Sequence, residues 1–139
     1  MDRRQLLQSL PAAAFLPTRT GENSPSSAVY ELRIYHAAEG KLDALLARFR
    51  DHTMALFDKH NIKNVAYWLP TDDPLKGKTL VYMLEHPSRE AATANWQAFR
   101  DDPEWQRVKS QSEAAGPLVE KVDSTFLALT DFSPALRSA

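Results

Sequence analysis

Hydrophobic residues between positions 29 and 132 recur with two different spacings, which alternate along the chain. A spacing of two is typical of strands, and spacings of three and four are typical of helices. The spacing of two predicts four strands, over residues 29–35, 62–69, 79–85 and 120–132. The other spacings predict a helix from Gly40 to Asn61, and a helix from Ser88 to Gly116 that restarts at Pro103.

This βαββαβ order predicts an α+β fold, the ferredoxin-like sandwich, in which the helices cover only one face of the sheet. Both faces of the predicted strands nevertheless carry large side chains, namely Tyr35, Val65, Tyr67, Val81, Met83 and Leu129. A sheet that is apolar on both sides needs a second cover. We therefore expect a homodimer in which two sheets pack face to face as a dimeric α+β barrel.

Residues 1–28 precede this pattern and have the layout of an export signal. The pair Arg3-Arg4 is followed by an apolar run from Leu10 to Leu16 and then by a polar stretch that ends in the small residues Ser26, Ser27 and Ala28. This layout resembles a twin-arginine signal and predicts an exported protein, periplasmic or extracellular. The alternative is a disordered tail on a cytoplasmic protein. Residues 29–132 are expected to form one domain, and residues 133–139 a C-terminal tail.

Composition narrows the classes of function. The chain has 17 basic and 18 acidic residues, so it lacks the basic surplus expected of a nucleic-acid-binding protein. It has no cysteine, which excludes thiol nucleophiles, zinc–thiolate sites and disulfides. No apolar run approaches the ~20 residues of a membrane span, so we expect no stable membrane insertion.

His52 is the candidate catalytic residue. It lies between Phe49 and Leu56 on the hydrophobic stripe of the first predicted helix, so we expect it to face the sheet. An imidazole there can serve as an acid, a base or a ligand in a pocket between helix and sheet. The alternative is a hydrogen-bonded histidine of the core.

Three polar residues of the first strand form a second candidate set. Glu31, Arg33 and Tyr35 lie on one face of that strand. Tyr30, Leu32 and Ile34 lie on the other face. Arg33 can pair with Glu31, and the Tyr35 hydroxyl can extend that network. The set can orient a small anionic or carbonyl ligand. The alternative is a structural ion pair in a dimer interface.

Aromatic residues form a third candidate set. Trp68, Tyr82 and Trp96 lie with further aromatic residues around the second and third strands and the second helix. They can line a pocket for a planar or apolar ligand, although aromatic residues at such spacings also form ordinary cores. The four histidines of the chain show no spacing typical of a metal site, so no metal site is predicted.

Three segments together resemble the NIPSNAP family: Tyr30–Tyr35 (YELRIY), Val65–Trp68 (VAYW) and Trp96–Trp105 (WQAFRDDPEW). The resemblance extends over residues 29–132. It implies a dimeric α+β barrel, and bacterial members often carry export signals. Asn61 and Ala66 stand where the family usually has Gly. The resemblance implies no catalytic residue.

Two hypotheses about function follow from this resemblance and from the candidate residues. The first is a dimeric binding or interaction module for a small molecule, without chemistry of its own. The second is an enzyme with little need of a cofactor, because related barrels include monooxygenases and haem-degrading enzymes. No cofactor is predicted, although the second hypothesis admits haem or flavin. Under that hypothesis His52 acts as base or ligand, and Trp68 and Tyr82 shape the pocket.

Overall fold

A computed structural model of the chain describes residues 28–136. The predicted export signal therefore lies outside the described residues, apart from Ala28. The strands are β1 (Val29–Ala37), β2 (Lys63–Trp68), β3 (Thr79–His86) and β4 (Val119–Leu127). The helices are α1 (Leu42–Arg48), α2 (Met54–Lys59), α3 (Arg89–Asp101) and α4 (Pro103–Ser112), and a π-helical segment (Phe49–Thr53) joins α1 to α2.

The four strands form one antiparallel sheet in the order β2-β3-β1-β4. This arrangement confirms the predicted α+β fold of the ferredoxin-like type. The last strand is shorter than predicted, since it ends at Leu127 rather than Phe132. Leu127 pairs with Tyr30, the second residue of β1, and a turn follows at Thr130 and Ser133.

Strand register confirms the predicted division of β1 into two faces. Arg33 pairs with Tyr82 of β3 and with Ser124 of β4, so these three side chains point to the same side. This side is the face that the helices cover, because Tyr82 there belongs to the hydrophobic core. Tyr30, Leu32 and Ile34 lie on the opposite face, which we call the open face.

The π-helical segment changes which side chains reach the sheet. A π-helical turn takes about one residue more than an α-helical turn. Phe49 and Thr53, one such turn apart, are both buried, whereas His52 is exposed. The prediction that His52 faces the sheet is therefore wrong, because the regular helical spacing between Phe49 and Leu56 is interrupted.

Local signals at the helix ends act as the sequence predicts. The Ser88 hydroxyl accepts a hydrogen bond from the Ala91 backbone at 3.0 Å and caps α3. Asp102 caps α4 in the same way, with Pro103 at its first turn. Asn61 follows α2 with φ 62°, the left-handed conformation that closes a helix.

The core lies between the sheet and the helices and is rich in aromatic rings. Tyr82 is fully buried at its centre, 5.0 Å from the ring centroids of both Phe49 and Tyr67. Trp96 packs 5.4 Å from Phe57. Within residues 28–136, no helix is both long enough and apolar enough to cross a membrane.

Trp68 lies apart from this core. The pairing of β2 with β3 shifts between Asn64 and Ala66, so Asn64 faces the helices but Trp68 points to the open face. Its side chain is 49% exposed. The expected grouping of Trp68 with Tyr82 and Trp96 is therefore wrong, and the pairing irregularity is the reason.

Candidate functional site

A cleft opens between the helices and the half of the sheet formed by β1 and β4. It has two lobes that share four lining residues, Tyr35, Phe99, Trp105 and Lys109. The first, which we call the Arg33 lobe, has a volume of about 420 Å³ and reaches Glu31, Arg33 and Trp96. The second, the Arg48 lobe, has a volume of about 350 Å³ and reaches Arg48 and Thr53.

The carboxylate of Glu31 organises the floor of the Arg33 lobe. It is 2% exposed and interacts with four neighbours: His86 Nε2 at 2.8 Å, Trp96 Nε1 at 2.9 Å, Ser124 Oγ at 2.7 Å and Arg33 at 2.6 Å. Burial alone raises the pKa of Glu31. The hydrogen bonds and the Arg33 charge outweigh burial and lower this pKa from 4.5 to about 2. Glu31 is therefore a fixed buried anion.

The guanidinium of Arg33 is held in one position by its contacts. Besides Glu31, it donates to the hydroxyls of Tyr82 at 3.0 Å and Tyr35 at 3.2 Å. It also lies 4.4 Å from the centroid of the Trp96 ring. Burial lowers the pKa of Arg33, but the surrounding Tyr82, Tyr35 and Glu31 raise it above its ordinary value. Arg33 is therefore a fixed cation on the wall of the cleft.

The two tyrosines bonded to Arg33 differ in what they can offer a ligand. Burial raises the pKa of Tyr82 well above its ordinary value, so this hydroxyl stays neutral beneath the cleft. Tyr35 is half-buried and lines both lobes. Because its oxygen accepts from Arg33, its own proton can be donated into the cleft. The pair Arg33 and Tyr35 thus suits a carbonyl or acidic oxygen.

The Arg48 lobe has a second arginine at its end. The Arg48 side chain is 5% exposed and donates to Ser112 at 3.1 Å and to Glu113 at 3.2 Å, both near the end of α4. Its guanidinium lies 5.1 Å from the centroid of the Trp105 ring. Its buried Nε has no hydrogen-bond partner in the part of the chain that the structure describes.

The structure brings together four of the seven residues proposed from the sequence. Glu31, Arg33, Tyr35 and Trp96 line the Arg33 lobe, and the Tyr82 hydroxyl supports them from below. The predicted pairing of Arg33 with Glu31 and its extension to Tyr35 are confirmed.

The other two residues lie elsewhere. Trp68 points to the open face, and His52 lines a separate shallow groove between α1 and α4. Neither contributes to the cleft.

Sequence reasoning missed three residues of the site. His86 and Ser124 bond to Glu31, and both lie on its face of the sheet. Residues four positions apart on a strand point to the same face. The position of Tyr82 could therefore have indicated that His86 also points toward the helices. Arg48 gave no comparable signal, since its partner Glu113 is far away in the sequence.

The side chains that line the cleft are mainly charged and aromatic. The residues that line its two lobes include no histidine. Within residues 28–136, no group of three metal-ligating side chains comes together. Haem iron is usually held by histidine, cysteine, methionine or tyrosine, and among these only Tyr35 lines the cleft.

The sequence model of one protein family, described as NIPSNAP, matches residues 30–134 of the chain. This range includes every strand and helix described above except the first residue of β1. No curated protein matches the chain.

Solved structures with the same fold include two proteins described with the same family term. A NIPSNAP-like domain protein from Burkholderia xenovorans has 19% sequence identity and a TM-score of 0.69, over 81% of this chain and 94% of that chain. A NIPSNAP family protein of unknown function from Agrobacterium tumefaciens has 20% identity and a TM-score of 0.68, over 81% and 96%.

A third structure with this fold is SnoaB, a cofactor-independent oxygenase from Streptomyces nogalater. It has 13% identity and a TM-score of 0.52, over 79% of this chain and 100% of that chain. At this identity the likeness concerns the fold alone.

Proposed function

The chain belongs to the NIPSNAP family, and on that premise we propose that its cleft binds a planar small molecule that carries an acidic or carbonyl oxygen. The observation that carries the proposal is Arg33, a cation held by Glu31, Tyr35 and Tyr82 on the wall of an aromatic cleft. A guanidinium that needs no rearrangement loses little entropy when it binds an oxygen ligand. The rings of Trp96 and Trp105 each supply an aromatic surface on which a planar ligand can stack.

The experiment compares two ligands that share one ring system and carry opposite charges. We expect naphthoate to bind the full chain in isothermal titration calorimetry, and naphthylmethylammonium to bind much more weakly. Replacement Tyr35→Phe removes one hydroxyl and is expected to weaken naphthoate about fivefold, the effect of one hydrogen bond of about 1 kcal/mol. Tyr30→Phe is the matched control, because Tyr30 lies on the open face of the same strand. Equal binding of both ligands, or equal loss in both variants, would refute the proposal.

We also propose that the chain is a homodimer formed through the open face of the sheet. All the described helices lie against the opposite face, and Leu32, Ile34 and Met83 remain only half-buried on the open one. Light scattering on the full chain should give twice the mass of one chain. Leu32→Lys should yield a folded monomer, as judged by circular dichroism, whereas Ala98→Lys on the exposed side of α3 should leave the dimer intact. A monomeric wild type would contradict this proposal.

Export through a twin-arginine route is a further proposal, and its support is the sequence of residues 1–28. Replacement of Arg3-Arg4 by two lysines should hold the protein in the cytoplasm of an expressing bacterium, while Arg19→Lys should leave its distribution unchanged. Cell fractionation measures both. Equal cytoplasmic retention of wild type and both variants would favour the cytoplasmic alternative.

An enzyme that acts on the bound molecule is the second candidate function. The likeness of fold to a cofactor-independent oxygenase and the Tyr35 hydroxyl beside Arg33 favour it. The absorption spectrum of protein purified from cells distinguishes an enzyme with a bound cofactor from a cofactor-independent one, since bound haem or flavin absorbs visible light. A colourless protein that consumes oxygen in the presence of an oxidisable aromatic ligand would support a cofactor-independent reaction. A colourless protein that consumes none would support binding alone.

A further inference from the structure

The cleft has an arginine at each end of a continuous row of aromatic rings. Arg33 lies 4.4 Å from the Trp96 ring, and Arg48 lies 5.1 Å from the Trp105 ring. Phe99 connects the two tryptophans, with centroid distances of 5.6 Å to Trp96 and 4.7 Å to Trp105. The Trp96 ring stands at 88° to the Phe99 ring, whereas Phe99 and Trp105 are inclined by 31°. A molecule that spans this row would therefore approach one guanidinium at each end while its ring stacks on one of the two tryptophans.

The charges of the cleft point to the charge of its occupant. The lobes are lined by five cationic residues, Arg33, Arg48, Arg100, Lys109 and Lys121. The carboxylates in the lining are three, Glu31, Glu113 and Glu120. The cleft therefore carries a net charge of about +2, whereas the whole chain carries −1. This lining would attract an anionic ligand, although Lys121 is paired with Asp123 outside the lining at 3.7 Å.

Arg48 is less completely paired than Arg33. Its partner Glu113 also binds Lys109 at 3.2 Å, so one carboxylate is shared by two cations. The buried Nε of Arg48 has no partner among the described residues. A buried donor without an acceptor is unfavourable, so the hydrogen bonding of Arg48 is incomplete among the described residues.

We propose that the ligand is a planar aromatic dianion, with one acidic group at Arg33 and Tyr35 and the second at Arg48 and Lys109. This proposal rests on the proposed function, since it concerns the same cleft. It assigns Arg48 as the residue that distinguishes ligands with two acidic groups from ligands with one.

The test is a calorimetric comparison of mono- and dicarboxylates on two frames, naphthalene and biphenyl, with the two acid groups at opposite ends. Each dicarboxylate has the same ring system as its monocarboxylate, so the difference in affinity measures the second acid group. A second charge-assisted contact should strengthen binding about tenfold on at least one frame.

Variants of the full chain assign this gain to Arg48. Arg48→Met should abolish the tenfold advantage of each dicarboxylate over its own monocarboxylate. Glu113→Gln should act in the opposite direction and strengthen the dicarboxylate several-fold, because it frees the charge of Arg48. Arg107→Met is the matched control, since Arg107 is an exposed arginine of α4 outside the cleft lining.

The outcomes separate this proposal from the proposed function. If no carboxylate binds, both are overturned. If the monocarboxylates bind but neither dicarboxylate binds more tightly, only the two-anion proposal is overturned. If Arg48→Met unfolds the chain, the increase expected for Glu113→Gln decides the question alone. An equal loss in Arg107→Met would also refute the assignment to Arg48.

Discussion

Replacement Glu31→Gln tests whether a buried negative charge stabilises the fold. In the wild type the Glu31 carboxylate interacts with His86, Trp96, Ser124 and Arg33 at 2.6 to 2.9 Å. Glutamine has nearly the same shape, but it is neutral and has only one oxygen to accept hydrogen bonds. The variant therefore leaves the Arg33 charge uncompensated and several donors without an acceptor.

The expected loss follows from the pKa of Glu31. The fall of this pKa from 4.5 to about 2 on folding corresponds to about 3 kcal/mol of stability, at about 1.4 kcal/mol per factor of ten. Because the pKa is lower in the folded chain, this contribution is complete above pH 4.5 and is lost as pH falls toward 2. We therefore expect Glu31→Gln to be about 3 kcal/mol less stable than wild type at neutral pH, and the difference to shrink toward pH 2.

The assay is urea denaturation, followed by tryptophan fluorescence, at a series of pH values from neutral down to about 2.5. Glu39→Gln is the matched control, since Glu39 is exposed in a loop and its loss should cost less than about 0.5 kcal/mol. A wild-type advantage over Glu31→Gln that stays constant throughout the pH series would refute the reasoning. The charge would then not be the source of the stability.

Three other substitutions test single features, each by urea denaturation at neutral pH. Asn61→Ala should lose about 1 kcal/mol, because alanine is strained at φ 62°, while Asn61→Gly should lose nothing; equal stability of the two would count against this explanation. His52→Ala should change stability by less than about 0.5 kcal/mol, since its side chain is exposed. A loss typical of a core residue would show that His52 is buried against the sheet after all. Tyr82→Phe should lose about 2 kcal/mol, because Arg33 Nε loses its acceptor; an unchanged midpoint would show that this bond is dispensable.

Features that depend on neighbours in the sequence could be predicted from it. The alternation in β1 placed Arg33 and Tyr35 on one face, since side chains in a strand point to opposite sides in turn. The caps at Ser88 and Asp102 follow from side chains that bond to backbone groups two or three residues away. The strand–helix order then determined the ferredoxin-like topology.

Features that depend on distant residues or on an irregular backbone could not be predicted from the sequence. The sequence shows no sign of the wider turn in the π-helical segment. Regular helical spacing therefore predicts that His52 faces the sheet, whereas its side chain is exposed. The sequence also shows no sign of the shift in the pairing of β2 with β3. Trp68 therefore points to the open face and not, as the regular pattern predicts, toward Tyr82. Arg48 and its partner Glu113 are far apart in the sequence, and only the packing of α4 against α1 brings them together.

The pairing irregularity of β2 affects whether the edge of the sheet can pair with a strand of another chain. β2 and β4 are the two edges of the sheet, where backbone groups are free to pair with another chain. The irregularity at Asn64–Ala66 distorts one edge, and the charged residues Glu120, Lys121 and Asp123 occupy the other. Such edges disfavour the addition of a foreign strand. The described sheet therefore resists the open-ended, edge-to-edge growth that leads to fibrils.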